Sequence, residues 1–213
     1  MDLHELAARV QRLEDDRAIR DLKARYLRAC DLKDPEAVRD TLLPQGAVIA
    51  YDGFPAFDNR DAFVAVYAAM GCQPIIYDIH HGANGIISFD GADRATGRWS
   101  LYFHNINLAT RTLTQMGVEY DDVYVRSGGR WWIAETRTRR TSCLVESVAA
   151  DGARTVVVMG DPPAALMSAM VTRAPSAANR IAVARPMPDA APVTSTDLPV
   201  NRIFRSPISA YAS

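Results

Sequence analysis

Lysine is almost missing from this chain. Lys23 and Lys33 are the only two among 24 basic residues, and the rest are arginine. Cysteine is scarce as well: Cys30, Cys72 and Cys143 stand far apart, odd in number and without C-x-x-C spacing, which argues against a disulfide framework and for buried free thiols. No apolar run approaches the roughly 20 residues of a membrane span. The opening MDLHELAARVQRLEDD has charges throughout and no apolar signal-peptide core, so a cytoplasmic location is expected. A net charge of −1 removes any broad pull toward nucleic acid or a membrane surface. Walker loop, G-x-G-x-x-G, G-x-S-x-G and H-E-x-x-H are all absent. Only His80-His81 with His104 could gather a metal, and their spacing is not that of a metal site, so none is expected.

What is present is an ordinary globular composition, 48% hydrophobic and 23% charged, over 213 residues. That length suits one domain, or one domain with an appendage. Residues 3–30 read as a half-buried helix. Leu3, Leu6, Val10 and Leu13 are spaced by three and four, and Ile19, Leu22, Tyr26 and Ala29 continue in the same style. Asp34-Pro35-Glu36 starts a second, short helix to about Leu43, which Pro44-Gln45-Gly46 ends. A short strand is expected over Ala47–Tyr51. Asp58 or Asn59 can cap a third helix, Asp61–Met70, closed by Gly71. Four long segments rich in β-formers follow: Ile75–Asp90, Ala92–Asn107, Arg111–Arg126 and Arg130–Val145, separated by turn chemistry such as Asp90-Gly91 and Ser127-Gly128-Gly129. Helices first and strands after argues α+β, with a curved antiparallel sheet, three helices over its concave side and a pocket between. Eight of the twelve prolines lie beyond Asp161. Only Thr155–Met159 reads there as a strand, with Pro163–Thr172 as a short helix. The expected division is a domain over 1–146 and a Pro/Ala-rich extension over 147–213 that packs on the domain or on a neighbouring subunit.

His80 and His81 are adjacent on a strand, so only one can look into a pocket. Further along, Trp99, Leu101 and Phe103 share one strand face, while Ser100, Tyr102 and His104 share the more polar other, which is either solvent or a functional cavity. Asp31 closes the first helix, where a carboxylate opposes the helix dipole. Tyr120, Asp122 and Tyr124 alternate along one face. Arg137, Arg139 and Arg140 end the last long strand. All of these residues also admit ordinary structural explanations.

Three segments carry a resemblance. Tyr26-Leu-Arg-Ala-Cys-Asp31-Leu-Lys-Asp-Pro-Glu resembles the first-helix signature of SnoaL-like proteins of the NTF2-like superfamily. His80-His-Gly-Ala-Asn84 with Asp90-Gly91-Ala-Asp-Arg-Ala95 is similar to that family's His-x-x-x-Asn strand and hairpin. Tyr120-Asp-Asp-Val-Tyr124 through Gly-Arg-Trp131-Trp-Ile133 looks like its last hairpin. The resemblance covers residues 5–145 and implies a cone-shaped α+β barrel. Within the superfamily it is nearest the branch of scytalone dehydratase, bile acid 7α-dehydratase and hexachlorocyclohexane dehydrochlorinase. It implies a cofactor-independent lyase, isomerase or cyclase using an Asp31–His80 pair, with Tyr51 polarising a carbonyl and His104 as proton donor. Tyr26, Phe54, His81, Tyr102 and Asp122 fall around the implied pocket. The implied substrate is a polycyclic, aromatic or steroid-like hydroxy-ketone. The implied assembly is a homo-oligomer, a trimer in preference to a dimer. Two other readings remain open: a non-catalytic binding or assembly subunit like the β-subunit of ring-hydroxylating dioxygenases, and epoxide hydrolysis by an Asp–Arg–Asp set built from Asp122 and Arg137.

Overall fold

The computed structural model describes residues 2–160 and 167–173. Helix α1 spans Leu3–Asp31, α2 Pro35–Arg39 and α3 Arg60–Met70, with strand β1 at Val48–Ala50 between the second and third. Then come β2 (Ile76–Phe89), β3 (Arg94–Asn107), β4 (Thr112–Ser127), β5 (Arg130–Val148), β6 (Arg154–Gly160) and β7 (Met167–Arg173). Each helix opens on an oxygen-bearing cap. The Asp2, Asp34 and Asn59 side chains accept from the Glu5, Ala37 and Ala62 backbone N–H groups, satisfying donors that a helix start leaves orphaned. Among the described residues no helix is long and apolar enough to cross a membrane.

The order β2-β3-β4-β5-β6-β7 is an antiparallel meander. Gly128 and Gly129, at φ 60° and 79°, make the β4–β5 turn that side-chain-bearing residues rarely adopt. The far edge of β5 is shared. Its first half takes β1 in parallel, Val48 opposite Glu135 to Ala50 opposite Arg137, and its second half takes β6 from Ser142 to Val148. The sheet therefore continues past residue 146 through β6 and β7. The short helix expected over 163–172 is corrected: 167–173 is a strand paired with β6, and 161–166 lie outside the described residues. Val, Met and Thr in the stretch Met167-Ser-Ala-Met-Val-Thr-Arg173 serve a strand as well as a helix, and the waiting edge of β6 decides between them.

Three register shifts bend the sheet: at Ala83/Ile86, opposite Gly117/Val118 and opposite Val123/Tyr124. Its concave face carries Trp99, Leu101, Val118, Tyr120, Tyr124 and Ile133, buried with Ile19, Leu22 and Tyr26 of α1 and Phe63 and Val64 of α3. On α1 the continuity expected from the sequence does not hold. Ile19, Leu22 and Tyr26 are buried, but Leu3, Leu6, Val10 and Leu13 are exposed. At about 100° per residue the two stripes lie on opposite sides of the helix. Among the described residues, the contacts of α1 with the body begin at Arg12 and Asp15. The Arg12 guanidinium lies over the Phe89 ring at 4.2 Å, and Asp15 accepts from Trp131 Nε1 at 3.1 Å and pairs with Arg126.

Gly85, at the β2 irregularity, lets the Trp99 ring close over the strand. A Cβ there would sit 2.2 Å from the ring's Cζ3 atom, and an aromatic ring held in a core has little room to yield. Gly85→Ala should destabilise the fold by about 1–3 kcal/mol. A thermal melt checks this; an unchanged midpoint would mean the ring moves freely.

Candidate active site

The site begins at the C-terminal end of α1. Asp31 is that helix's last residue, and its carboxylate oxygen Oδ1 accepts two bonds from one residue of β2: the His80 backbone N–H at 2.9 Å and the His80 ring Nδ1 at 2.8 Å. A carboxylate that faces the negative end of a helix dipole is thus answered by two N–H donors. Two residues along in each chain segment, Lys33 pairs with Asp78, which also accepts from Asn105 Nδ2. Asp78 and His80 share the inner face of β2, so α1 is fastened to this strand by two adjacent polar contacts. The His80 ring leans on Phe103, its register partner, at 4.8 Å between centroids.

Deeper in the cone lies a tyrosine pair. The Tyr26 and Tyr51 hydroxyls are hydrogen-bonded to each other. Tyr51 meets Phe63 and Tyr120 edge-on at 5.6 and 6.0 Å. Its loop is tied to β5: Asp52 N–H donates to Thr138 Oγ1, and Asp52 Oδ2 accepts from the Arg140 backbone N–H at 3.1 Å. Burial pushes the Tyr26 and Tyr51 hydroxyls well above the ordinary tyrosine value, so both remain protonated donors. Burial also pushes the Cys30 thiol up, to about 12, which makes it a poor nucleophile.

Beneath the tyrosines sits a wholly buried ion pair. Lys23 Nζ is 2.8 Å from Asp122 Oδ2, with both side chains at 1% exposure or less. The same oxygen accepts from Tyr124 OH at 2.7 Å, and that hydroxyl accepts from Trp99 Nε1. The ammonium lies 3.5 Å from the centre of the Tyr120 ring, a cation–π contact strengthened by exclusion of water. Burial, opposed by Asp122, pulls the Lys23 ammonium below its ordinary value.

Of the residues expected in the pocket, the structure brings Asp31 to His80, Tyr26 to Tyr51, and Asp122 to the floor. It turns four others away. His80 points inward, so His81 points outward and is exposed. On β3 the inward set Trp99, Leu101 and Phe103 forces Tyr102 and His104 onto the outer face, where Tyr102 OH accepts from Gln115 Nε2 at 2.7 Å. The more polar face of β3 is its outward one, and His104 is not near His80's ring side. Phe54 stands 61% exposed in the turn after Tyr51. The Asp–Arg–Asp set is also undone. Asp122 is buried against Lys23, while Arg137 points outward to Glu135. Sequence reasoning missed Lys23, which was legible as a charge within the inward stripe Ile19–Lys23–Tyr26–Cys30. Arg140, read among the arginines that end the last long strand, is the register partner of Val118. Among the described residues no three His, Cys, Asp or Glu side chains are placed to hold a metal.

Residues 11–137, more than half of the chain, match the SnoaL-like domain, and the chain belongs to that family. Solved structures similar to it include a type 2 hexachlorocyclohexane dehydrochlorinase, LinA, at 18% identity and TM-score 0.59, covering 73% of this chain and 99% of that one. A putative scytalone dehydratase from Novosphingobium aromaticivorans is similar at 21% identity and TM-score 0.58, covering 62% and 88%. An NTF2-like protein with a cystatin-like fold from the same organism is similar at 24% identity and TM-score 0.55, covering 64% and 88%. At these identities the likeness shows the shared cone-shaped α+β fold.

Two expectations concern the floor. Asp122→Asn leaves an unmatched buried ammonium and should cost about 3–5 kcal/mol, while Lys23→Met with Asp122→Leu should recover most of the loss; denaturant titration of the three proteins checks both. The hydroxyls of Tyr26, Tyr51, Tyr120 and Tyr124, and that of the half-buried Tyr67 on α3, which donates to the Cys30 carbonyl, all titrate above the ordinary value of 10.0, chiefly through burial. Their contribution to stability is therefore complete below pH 10.0 and is lost as pH rises above it, because the unfolded chain releases protons that the folded one keeps. Lys23 acts in the opposite sense, one group against five. Stability measured between about pH 8 and 12 should fall steeply on the alkaline side; a flat profile would contradict the burial of these hydroxyls.

Proposed function

We propose that this chain is a cofactor-independent lyase of the dehydratase type, or a related isomerase or cyclase, acting on an apolar ring-bearing hydroxy-ketone. The observation that carries the reading is the pair of hydrogen bonds from His80 to Asp31. A carboxylate acceptor at Nδ1 places the ring proton there, which leaves the lone pair of neutral His80 on Nε2. The backbone bond to the same oxygen keeps the carboxylate from swinging away, so ring and base are oriented together.

The chemistry follows from that tautomer. His80 Nε2 takes the proton next to the substrate carbonyl, and the electron pair moves into the carbonyl as an enolate. Asp31 stabilises the imidazolium as it forms. A hydroxyl donor from the Tyr26–Tyr51 pair meets the developing oxyanion, and as a protonated phenol it donates without becoming a base. Collapse of the enolate breaks the C–O bond of the β-hydroxyl. The imidazolium returns its proton to the leaving oxygen, giving an enone and water and restoring neutral His80. One histidine serves as base and acid in turn, so the reading needs no contribution from the outward-facing His104. The reading includes a homo-oligomeric assembly and a cytoplasmic location, and no nucleic-acid or membrane partner.

The test is turnover of a panel of cyclic β-hydroxy-ketones, scytalone among them, and of hexachlorocyclohexane, followed by the appearance of the conjugated or dehalogenated product. Asp31→Asn and His80→Ala should each lower kcat by about 10²–10⁴-fold with KM little changed, and Tyr51→Phe should cost about 10–10³-fold. Full activity in Asp31→Asn would contradict the mechanism. A chain that turns over nothing and co-purifies with a larger iron-containing subunit would favour an assembly role.

A further inference from the structure

The first three turns of α1 project past the body with an unusual surface. Leu3, Leu6, Val10 and Leu13 are 85%, 42%, 45% and 72% exposed. Their spacing of three, four and three is that of a heptad seam, with Leu3 and Val10 at a positions and Leu6 and Leu13 at d. This stripe lies opposite the face that Asp15, Ile19 and Leu22 bury, so it points away from the body. Arg17, at the next a position and ion-paired with Asp21 at 3.6 Å, closes the seam.

We infer that this overhang is a dimerisation element, in which α1 pairs in parallel with α1 of a second copy of this chain. Three observations select that occupant. The charges beside the stripe complement a parallel copy: Arg9 at g faces Glu14 at e of the other chain, twice across the two-fold axis, whereas an antiparallel copy centred on the stripe brings Arg9 toward Arg9. Val10 at a, between Leu6 and Leu13 at d, is the β-branched placement that favours two strands over three. The flanks are not those of a lipid-binding helix either, since Asp2, Glu5, Glu14, Asp15 and Asp16 outnumber Arg9, Arg12 and Arg17.

A seam of two heptads is marginal for free peptides, which must bear the cost of helix nucleation. Here that cost is already met within the protomer. Asp2 caps the first turn by accepting from Glu5 N–H, and Asp15, bound by Trp131 and Arg126, fixes the helix where it joins the body. The overhang is thus a preformed helix with only its apolar face left to cover. Among the described residues, the body lies on the far side of α1 from the seam and leaves that face open to a second copy.

The experiment is sedimentation velocity on the full chain. Wild type should run at twice the chain mass. Leu6→Glu with Leu13→Glu, both on exposed positions, should run at the single-chain mass with an unchanged circular dichroism spectrum. Glu14→Arg should weaken association about tenfold, and adding Arg9→Glu should restore it. A Leu6→Cys chain should oxidise to a covalent dimer linked 6 to 6, mapped by mass spectrometry. A wild-type chain that stays single up to about 100 μM, an assembly whose mass ignores Leu6→Glu with Leu13→Glu, or a trimer would each overturn the inference. So would binding of the stripe to phosphatidylserine vesicles in place of a second chain.

Discussion

One carboxylate oxygen joins the two halves of this molecule. Asp31 Oδ1 receives both the backbone and the ring N–H of His80, so the end of the long helix and the edge strand of the sheet meet at a single acceptor. Charge-assisted bonds of this kind are stronger and shorter than neutral ones. The contact also answers an electrostatic problem that α1 creates for itself by ending on an acid. Remove the imidazole and only the backbone N–H of residue 80 is left to answer the carboxylate against the helix's partial negative charge. Remove the carboxylate and the imidazole loses the acceptor that fixes its tautomer. Structure and proposed chemistry therefore depend on the same bond.

At the other pole the molecule accepts a costly feature. A lysine and an aspartate are buried together in the floor of the cone, where two hydrophobic residues of similar volume would serve stability about as well. What the pair provides is direction. Asp122 orients Tyr124 and, through it, Trp99, while the ammonium packs on Tyr120. The concave face is thus a graded column: an ion pair at the bottom, protonated tyrosines above it, and a histidine–aspartate pair at the rim.

Much of this was legible from residue order. Helices before a run of long strands gave α+β, and the cap Asp34 marked one helix start to the residue, while Asn59 was one of two caps read for α3, which begins one residue earlier than expected. Asp31 and His80 emerged from the family resemblance, since alone each had an ordinary explanation. Alternation misled where it lacked an anchor. His80 and His81 could not be ranked until the inward face of β2 was known, and the polar row with His104 proved to be the outward one. A strand's period of two says that faces differ, not which of them meets the core. The seam at Leu3–Leu13 read as continuous with the core stripe because spacing alone hides a half-turn change of phase. Bulges were illegible altogether, and with them the register of Arg140 opposite Val118.

A SnoaL-like fold hosts more than one function, so the site must decide what this chain does. The central claim is that Asp31 holds His80 as the neutral ring protonated at Nδ1. Long-range ¹H–¹⁵N correlation of the histidine rings in uniformly labelled protein reads this directly, because a protonated and an unprotonated ring nitrogen resonate far apart. The account predicts a protonated Nδ1 and a bare Nε2 for His80, with that pattern lost in Asp31→Asn. A proton resident on Nε2 of neutral His80 in the wild type would contradict it.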